Sequence, residues 1–311
     1  MKIKVGTRGS KLALIQTEMV IESLKKVETD LEFEIRIIKT TGDKIRRKPL
    51  FTIESKGIFE KEIDQALVRG EIDIAVHSLK DVPVYERYED IVIAAIPKRD
   101  DPREALVSID GAALHELPKG AVIGTSSLRR MAQVKFLRRD LEVKPIRGNI
   151  DTRIKKVERG EYHAIIVAKA GLERMGLHDL VSEVFHPEVL TPAAGQGALA
   201  VVARKSDCNL LKLLKAINHP QTMAEVTAER SLIAALKGGC HFPIGAIGVA
   251  NGDKLTLYGC VLSVNGCKKI SASATGSLEE AQRIGEKVAS ELLKHGAAEL
   301  AEEWRRIYGL R

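Results

Sequence analysis

The sequence predicts an α/β fold of two similar lobes about a central cleft, followed by a small α+β domain. Three observations carry that reading. Short β runs alternate with amphipathic helices up to Pro192. A strand, Gly-Thr turn and helix at the N-terminus recur at Ala121–Ser127, and Arg69-Gly70-Glu71 before one apolar strand recurs as Arg159-Gly160-Glu161 before another. The pattern then changes near residue 220.

The elements follow in order. Strand Ile3–Val5 runs through Gly6-Thr7-Arg8-Gly9-Ser10 into a helix with Leu12, Ile15 and Met19 on one face. Phe33, Ile35 and Ile37 alternate as a strand. Phe59, Ile63, Ala66 and Leu67 mark a helix that stops at Gly70, and strands follow at Ile72–Val76 and Ile91–Ile96. In the second lobe, Ala121–Gly124 and Ala164–Val167 are strands. Gly195-Gln196-Gly197 precedes a strand at Ala198–Ala203, expected to return to the first lobe. The predicted division is therefore 1–97 with 196–215, then 98–195, then 220–311. The last domain opens with a capping box, Thr222 with Glu225, and its first helix ends at Lys237-Gly238-Gly239. Leu255, Leu257, Ile270, Ala272 and Ala274 flank the hairpin signal Asn265-Gly266, and a second capping box, Ser277 with Glu280, opens a helix through Ile284, Val288 and Leu292 to Gly296.

Composition narrows the function classes. With 311 residues, 44% hydrophobic, 29% charged and only 10 Pro, the chain is a folded protein and not a disordered or low-complexity one. No apolar run reaches membrane-span length, and Met1–Val5 leads into a strand instead of a signal peptide, so a cytoplasmic location with no membrane partner is expected. Cys208, Cys240, Cys260 and Cys267 form neither a disulfide framework nor a zinc site, so no metal is expected. The net charge of +7 calls for an anionic partner. Aromatics at 4% are poor material for stacking bases, so that partner is a small polyanion and not nucleic acid.

Arginine placement sharpens this. Arg8, Arg129, Arg130, Arg147, Arg153 and Arg174 fall at or just beyond predicted strand ends, where open α/β sheets bind ligands. Single arginines there are ordinary surface residues; several converging beside Gly-Thr turns and helix N-termini make a polycarboxylate or phosphate site. His77-Ser78-Leu79-Lys80-Asp81-Val82-Pro83 sets one acid beside that basic edge, where it can stabilise a developing positive charge. Cys240 follows Gly238-Gly239, which admit a ligand close to the backbone. The preceding helix would present its negative end and raise the thiol pKa, a setting suited to a single attachment and unsuited to repeated turnover. Cys208, Cys260 and Cys267 are read as small buried hydrophobes. The charged stretch Thr41–Lys56 is longer than an ordinary connection and reads as a lid.

Six segments in order resemble the porphobilinogen deaminase (hydroxymethylbilane synthase) family: Thr7–Leu14, His77–Pro83, Gly124–Arg130, Arg147–Arg153, Gly195–Ala198 and Gly238–Cys240. The resemblance implies three domains, the first two like the lobes of periplasmic binding proteins. It implies a monomeric transferase that joins four porphobilinogen molecules head to tail, losing ammonia each time, and releases hydroxymethylbilane for tetrapyrrole (haem) biosynthesis by hydrolysis. It further implies a dipyrromethane cofactor, covalently attached through a thioether at Cys240, with acetate and propionate groups that account for the arginines. By the same matching Asp81 is catalytic, contacting pyrrole N–H groups. Lys80, Asp81, Thr125, Ser127, Arg129, Arg130, Arg147 and Gly148 hold the cofactor; Arg8, Ser10, Arg147, Arg153, Arg174 and Gln196 hold substrate; Lys56 and Phe59 belong to the lid. The chain departs from the family at Ile53-Glu54-Ser55, where a glycine pair is common, and at Thr41 and Thr52, where some members have basic residues. A non-enzymatic two-lobed anion-binding protein is the competing class, and it leaves Asp81 and Cys240 without work.

Overall fold

The computed structural model describes residues 2–44, 59–84, 88–236 and 243–308. The first lobe opens with β1 (Lys2–Thr7), α1 (Lys11–Lys25), β2 (Glu32–Ile37), α2 (Thr41–Lys44), α3 (Lys61–Val68), β3 (Ile74–Ser78) and β4 (Ile91–Ala95). The second holds β5 (Glu104–Ser108), β6 (Val122–Gly124), α4 (Leu128–Leu137), β7 (Glu142–Lys144), α5 (Ile150–Glu158), β8 (Ala164–Ala168), α6 (Lys169–Arg174) and β9 (Glu183–Val184). Then follow β10 (Leu199–Arg204), α7 (Cys208–Lys215), α8 (Pro220–Ala235), β11 (Ile244–Asn251), β12 (Lys254–Leu262), β13 (Lys269–Ser277), α9 (Ala281–Lys294) and α10 (Ala297–Tyr308).

Two five-stranded mixed sheets share one plan. The first runs β2-β1-β3-β10-β4 and the second β7-β6-β8-β5-β9. In each, the first three strands in order are parallel and the fourth, β10 or β5, lies antiparallel to its neighbour β3 or β8. These two antiparallel strands are the ones the chain reaches by crossing between lobes, so a pair of crossover segments, 96–103 and 185–198, forms the hinge. The segments pass so closely that a Cβ on Gly197 would stand 2.4 Å from the Asp100 carbonyl oxygen, and Gly197 has φ +84; only glycine fits.

Apolar strands and one-sided helices build the cores. Val5, Ile74, Val76, Val201 and Ala203 pack against Val20 and Leu24 of α1, while Ala75, Ala200 and Val202 face Ile63 and Leu67 of α3 on the other side of the sheet. The strand predicted from Phe33, Ile35 and Ile37 forms as β2, but at the sheet edge, where Ile35 and Ile37 are exposed. Alternation gave the strand without revealing which face was covered.

The third unit is an antiparallel sheet, β11-β12-β13, backed by α8, α9 and α10 around buried Trp304. Asn265 and Gly266 make the predicted hairpin turn, and the Ser277–Glu280 capping box is present. The predicted Thr222–Glu225 box is not. The helix starts three residues earlier, where Pro220 takes the first turn and the His219 side chain accepts from the Thr222 N–H; a proline preset for the first turn displaces the cap upstream. Cysteine placement also differs from expectation, for Cys208 and Cys267 are exposed, at the start of α7 and in the hairpin turn, and Cys260 alone of the three is buried.

Candidate functional site

The strands that point into the cleft end in turns that carry cations. Arg8 follows β1, Lys80 and Asp81 lie in a single helical turn after β3, and Ser127 caps α4 after β6, with Arg129 and Arg130 in the first turn. Arg147, Gly148 and Arg153 span the turn from β7 into α5. The turns hold themselves in place. Ser10 accepts from Ala13 N–H as the cap of α1, Thr125 Oγ1 accepts from Ser127 N–H, and Ser127 accepts from Arg130 N–H. A cap of this kind contributes about 1 kcal/mol. Gly148 has φ +112, and a Cβ there would lie 2.8 Å from the Thr152 side chain. The Arg153 Nε donates to the Gly148 carbonyl at 2.8 Å, which aims the guanidinium back over the turn.

The cations face one another across the cleft. Burial and the Arg130 guanidinium lower the Lys80 pKa to about 8. Burial, then Arg130 and Arg147, lower Arg153 to about 10. Burial and then Arg8 lower Arg147. Lys80 and Arg8 belong to the first lobe and the other three to the second, so the mutual repulsion maps a single site. Each shift has the sign expected of a buried cation beside another cation.

Arg129 and Arg130 meet an acid that sequence reading missed. Glu104, fully buried at the start of β5, receives Arg129 Nη2 at 2.6 Å and Arg130 Nη2 at 2.7 Å. Arg129 also donates to the Thr191 carbonyl and Arg130 to the Ile166 carbonyl, so both are structural struts of the cleft wall as well as charges near it. Burial alone would raise the Glu104 carboxyl, but Arg130 and Arg129 outweigh it and hold the pKa at about 2 against an ordinary 4.5. With the folded value depressed, this contribution to stability is full above pH 4.5 and is lost as pH falls towards 2. Glu104→Gln should accordingly cost about 2 kcal/mol at neutral pH and flatten the acid limb of stability, read from denaturant midpoints across pH. An unchanged midpoint at neutral pH contradicts the assignment.

Other expected residues also hold protein partners. Arg174 Nε binds Asp100 at 2.7 Å and Nη2 donates to the Gly197 carbonyl at 2.6 Å, bracing the two hinge segments. Gln196 lies in the same place, with Nε2 donating to the Pro102 carbonyl and Oε1 accepting from Lys80 Nζ at 3.3 Å. Arg8 pairs with Asp43, and its guanidinium carbon stands 4.1 Å from the centre of the Phe59 ring. Cys240 and Lys56 lie outside the described residues, as does the lid segment beyond Lys44. Sequence reading found the cations through their position after strands and missed their partners. Glu104, Asp43 and the hinge pair Arg99–Glu229, at 2.7 Å, carry no local signature because each is matched to a residue far along the chain.

A two-lobed protein whose cleft gathers half-buried cations around a few carboxylates is a binder of multiply charged anions. Comparison with known proteins makes this specific. Residues 3–212 match the model of the porphobilinogen deaminase dipyrromethane cofactor binding domain, and residues 223–294 match the porphobilinogen deaminase C-terminal domain. The porphobilinogen deaminase of Bacillus subtilis is 46% identical over 306 residues, covering 98% of this chain and 96% of that one. The porphobilinogen deaminase of Alkaliphilus metalliredigens is 46% identical over 300 residues, covering 96% and 95%. A solved lipoprotein of the YaeC family from Enterococcus faecalis overlays with a TM-score of 0.41 at 16% identity, covering 70% of this chain and 91% of that one. The chain belongs to the porphobilinogen deaminase family, and this favours the enzyme over the non-enzymatic anion-binding alternative.

Proposed function

We propose that the protein is a transferase that condenses four porphobilinogen molecules head to tail on a primer attached at Cys240, with loss of ammonia at each step, then releases hydroxymethylbilane by hydrolysis. The gathering of cations from both lobes carries this reading: Lys80 and Arg153 both have pKa values lowered by burial and by Arg130, the state expected of a site that receives a polycarboxylate. The donor set therefore fits a dipyrromethane, which bears carboxylate side chains and, when bound, supplies the pyrrole carbon to which the first substrate joins. Lys80, Thr125, Ser127, Arg129, Arg130, Arg147 and Gly148 would hold it, with Arg8, Ser10, Arg153, Arg174 and Gln196 around incoming substrate.

The chain's own residues then have distinct tasks. Arginine pairs bind each acetate and propionate through parallel N–H donors and fix the ring plane. The Asp81 carboxylate accepts pyrrole N–H and stabilises the positive charge that grows on the substrate as ammonia leaves. The Glu104 pair keeps Arg129 and Arg130 from collapsing into the cleft when it holds no anion. We divide the chain into 1–97 with 196–215, 98–195 and 220–311, so that substrate sits between the first two units. No described helix is long and apolar enough to cross a membrane. The setting usual for the family, a monomer in the cytoplasm, completes the proposal.

The test is ammonia release. Incubation with porphobilinogen should give four ammonia for each hydroxymethylbilane, whereas binding without ammonia release contradicts the proposal. The pH profile adds a second check. In protein without the primer Lys80 loses its proton as pH rises through about 8, so loading of the dipyrromethane should weaken above that value. Lys80→Met should load less primer at neutral pH and should lose that step in the loading profile. A step that persists in Lys80→Met belongs to another group.

A further inference from the structure

One helix holds the turn on which the Asp81 assignment depends. Leu79, Lys80 and Asp81 form a tight turn closed by Val82 N–H donating to the Leu79 carbonyl at 3.0 Å. That turn rests on α8: Leu79 is fully buried in a cluster with Val226, with Val82 and Met223 packed against it. Four residues on from Val226, Arg230 reaches the backbone itself. Its Nη1 donates to the Val82 carbonyl at 2.9 Å and its Nη2 to the Pro83 carbonyl at 2.7 Å. A planar guanidinium spanning two successive carbonyls fixes both position and orientation of the peptide it grips.

The helix is itself immobilised one residue earlier. The fully buried Glu229 accepts from Arg99 Nη1 at 2.7 Å, Gly195 N–H at 2.6 Å and Gly248 N–H at 2.8 Å, tying α8 to both hinge segments and to β11. Arg230 is thus a rigid arm on a fixed shaft. Along the same shaft, α8 ends at Ala235, five residues before Cys240 in the chain. At about 1.5 Å rise per residue, Arg230 stands roughly one and a half turns from the helix end.

We propose that Arg230 is a positioning residue for the reaction: it holds the turn bearing Asp81 in register with α8. It touches neither substrate nor cofactor. The inference rests on the reading of Asp81 as catalytic and Cys240 as the attachment point. A carboxylate that must meet charge developing on one pyrrole is sensitive to displacements near 1 Å, which cost up to about a hundredfold.

The test compares Arg230→Met, Asp81→Ala and the double variant in cofactor-loaded protein. Arg230→Met should keep the mass of two added pyrrole units, lower kcat about tenfold to a hundredfold and change KM less than about threefold. Amide hydrogen exchange in the peptide covering residues 79–84 should quicken while β12 and β13 exchange as before. In the Asp81→Ala background the same substitution should cost less than about twofold, because Arg230 acts through Asp81. Arg230→Lys, which keeps the charge and one donor direction, should recover part of the lost rate. Should Arg230→Met fail to fold, Arg230→Gln takes its place in the same cycle. Unchanged kcat in the folded variant overturns the proposal, and so does a rate loss that multiplies in full with that of Asp81→Ala. If Asp81→Ala alone keeps its turnover, the reading of Asp81 is what fails.

Discussion

Asp81→Ala protein should fold, keep the mass of its attached dipyrromethane and turn over about a hundredfold to a thousandfold more slowly than the parent. The expected split follows from where the charge lies. Asp81 ends the turn after β3, beside Lys80, and among the described residues no donor is bonded to it. A carboxylate with no bonded partner among the described residues, in a cationic cleft, is placed to serve a ligand. Its interaction strengthens as positive charge develops on the pyrrole and is weak before that, so removing it lowers kcat far more than it raises KM. Single-turnover kinetics with intact-mass analysis separates the two. Near-parental turnover in loaded Asp81→Ala contradicts the role.

Cys240→Ser should have the larger effect, complete loss of both adduct and turnover, since serine is a far weaker nucleophile at neutral pH. The remaining thiols cannot stand in for it. Cys260 is buried in β12, where burial raises its pKa and its Sγ donates to Thr191 Oγ1 at 3.2 Å. Cys208 and Cys267 are exposed on α7 and on the β12–β13 turn, without the paired glycines that precede Cys240. Circular dichroism should match the parent while the mass falls by two pyrrole units. An adduct that survives, mapped to Cys208 or Cys267, contradicts the assignment.

Much of the architecture was legible because it is written locally. A continuous apolar run such as Ala164, Ile165, Ile166 and Val167 reads as a buried strand, and Asn265-Gly266 reads as a tight turn. The repeated strand, Gly-Thr turn and helix correctly implied two lobes, since both sheets have the same strand order. What escaped depended on distant partners. β5 and β10 lie antiparallel to their neighbours because the chain crosses the hinge at each, which no local pattern records. At the site, strand-end position revealed the cations, but their spare charge and their restraint were hidden. Glu104 looks like an ordinary surface glutamate in sequence, yet it is fully buried between two arginines. Arg174 looks like the other cleft arginines, yet its bonds go to Asp100 and Gly197 of the hinge.

The central claim is that a primer on Cys240 is extended one pyrrole at a time. Intact-mass measurement of the purified protein before and after a substoichiometric amount of porphobilinogen tests it most directly. The predicted result is a starting mass above the polypeptide by two pyrrole units, followed by a ladder of species each heavier by one more unit, all absent from Cys240→Ser. A starting mass equal to the bare polypeptide, unchanged by porphobilinogen, would contradict it.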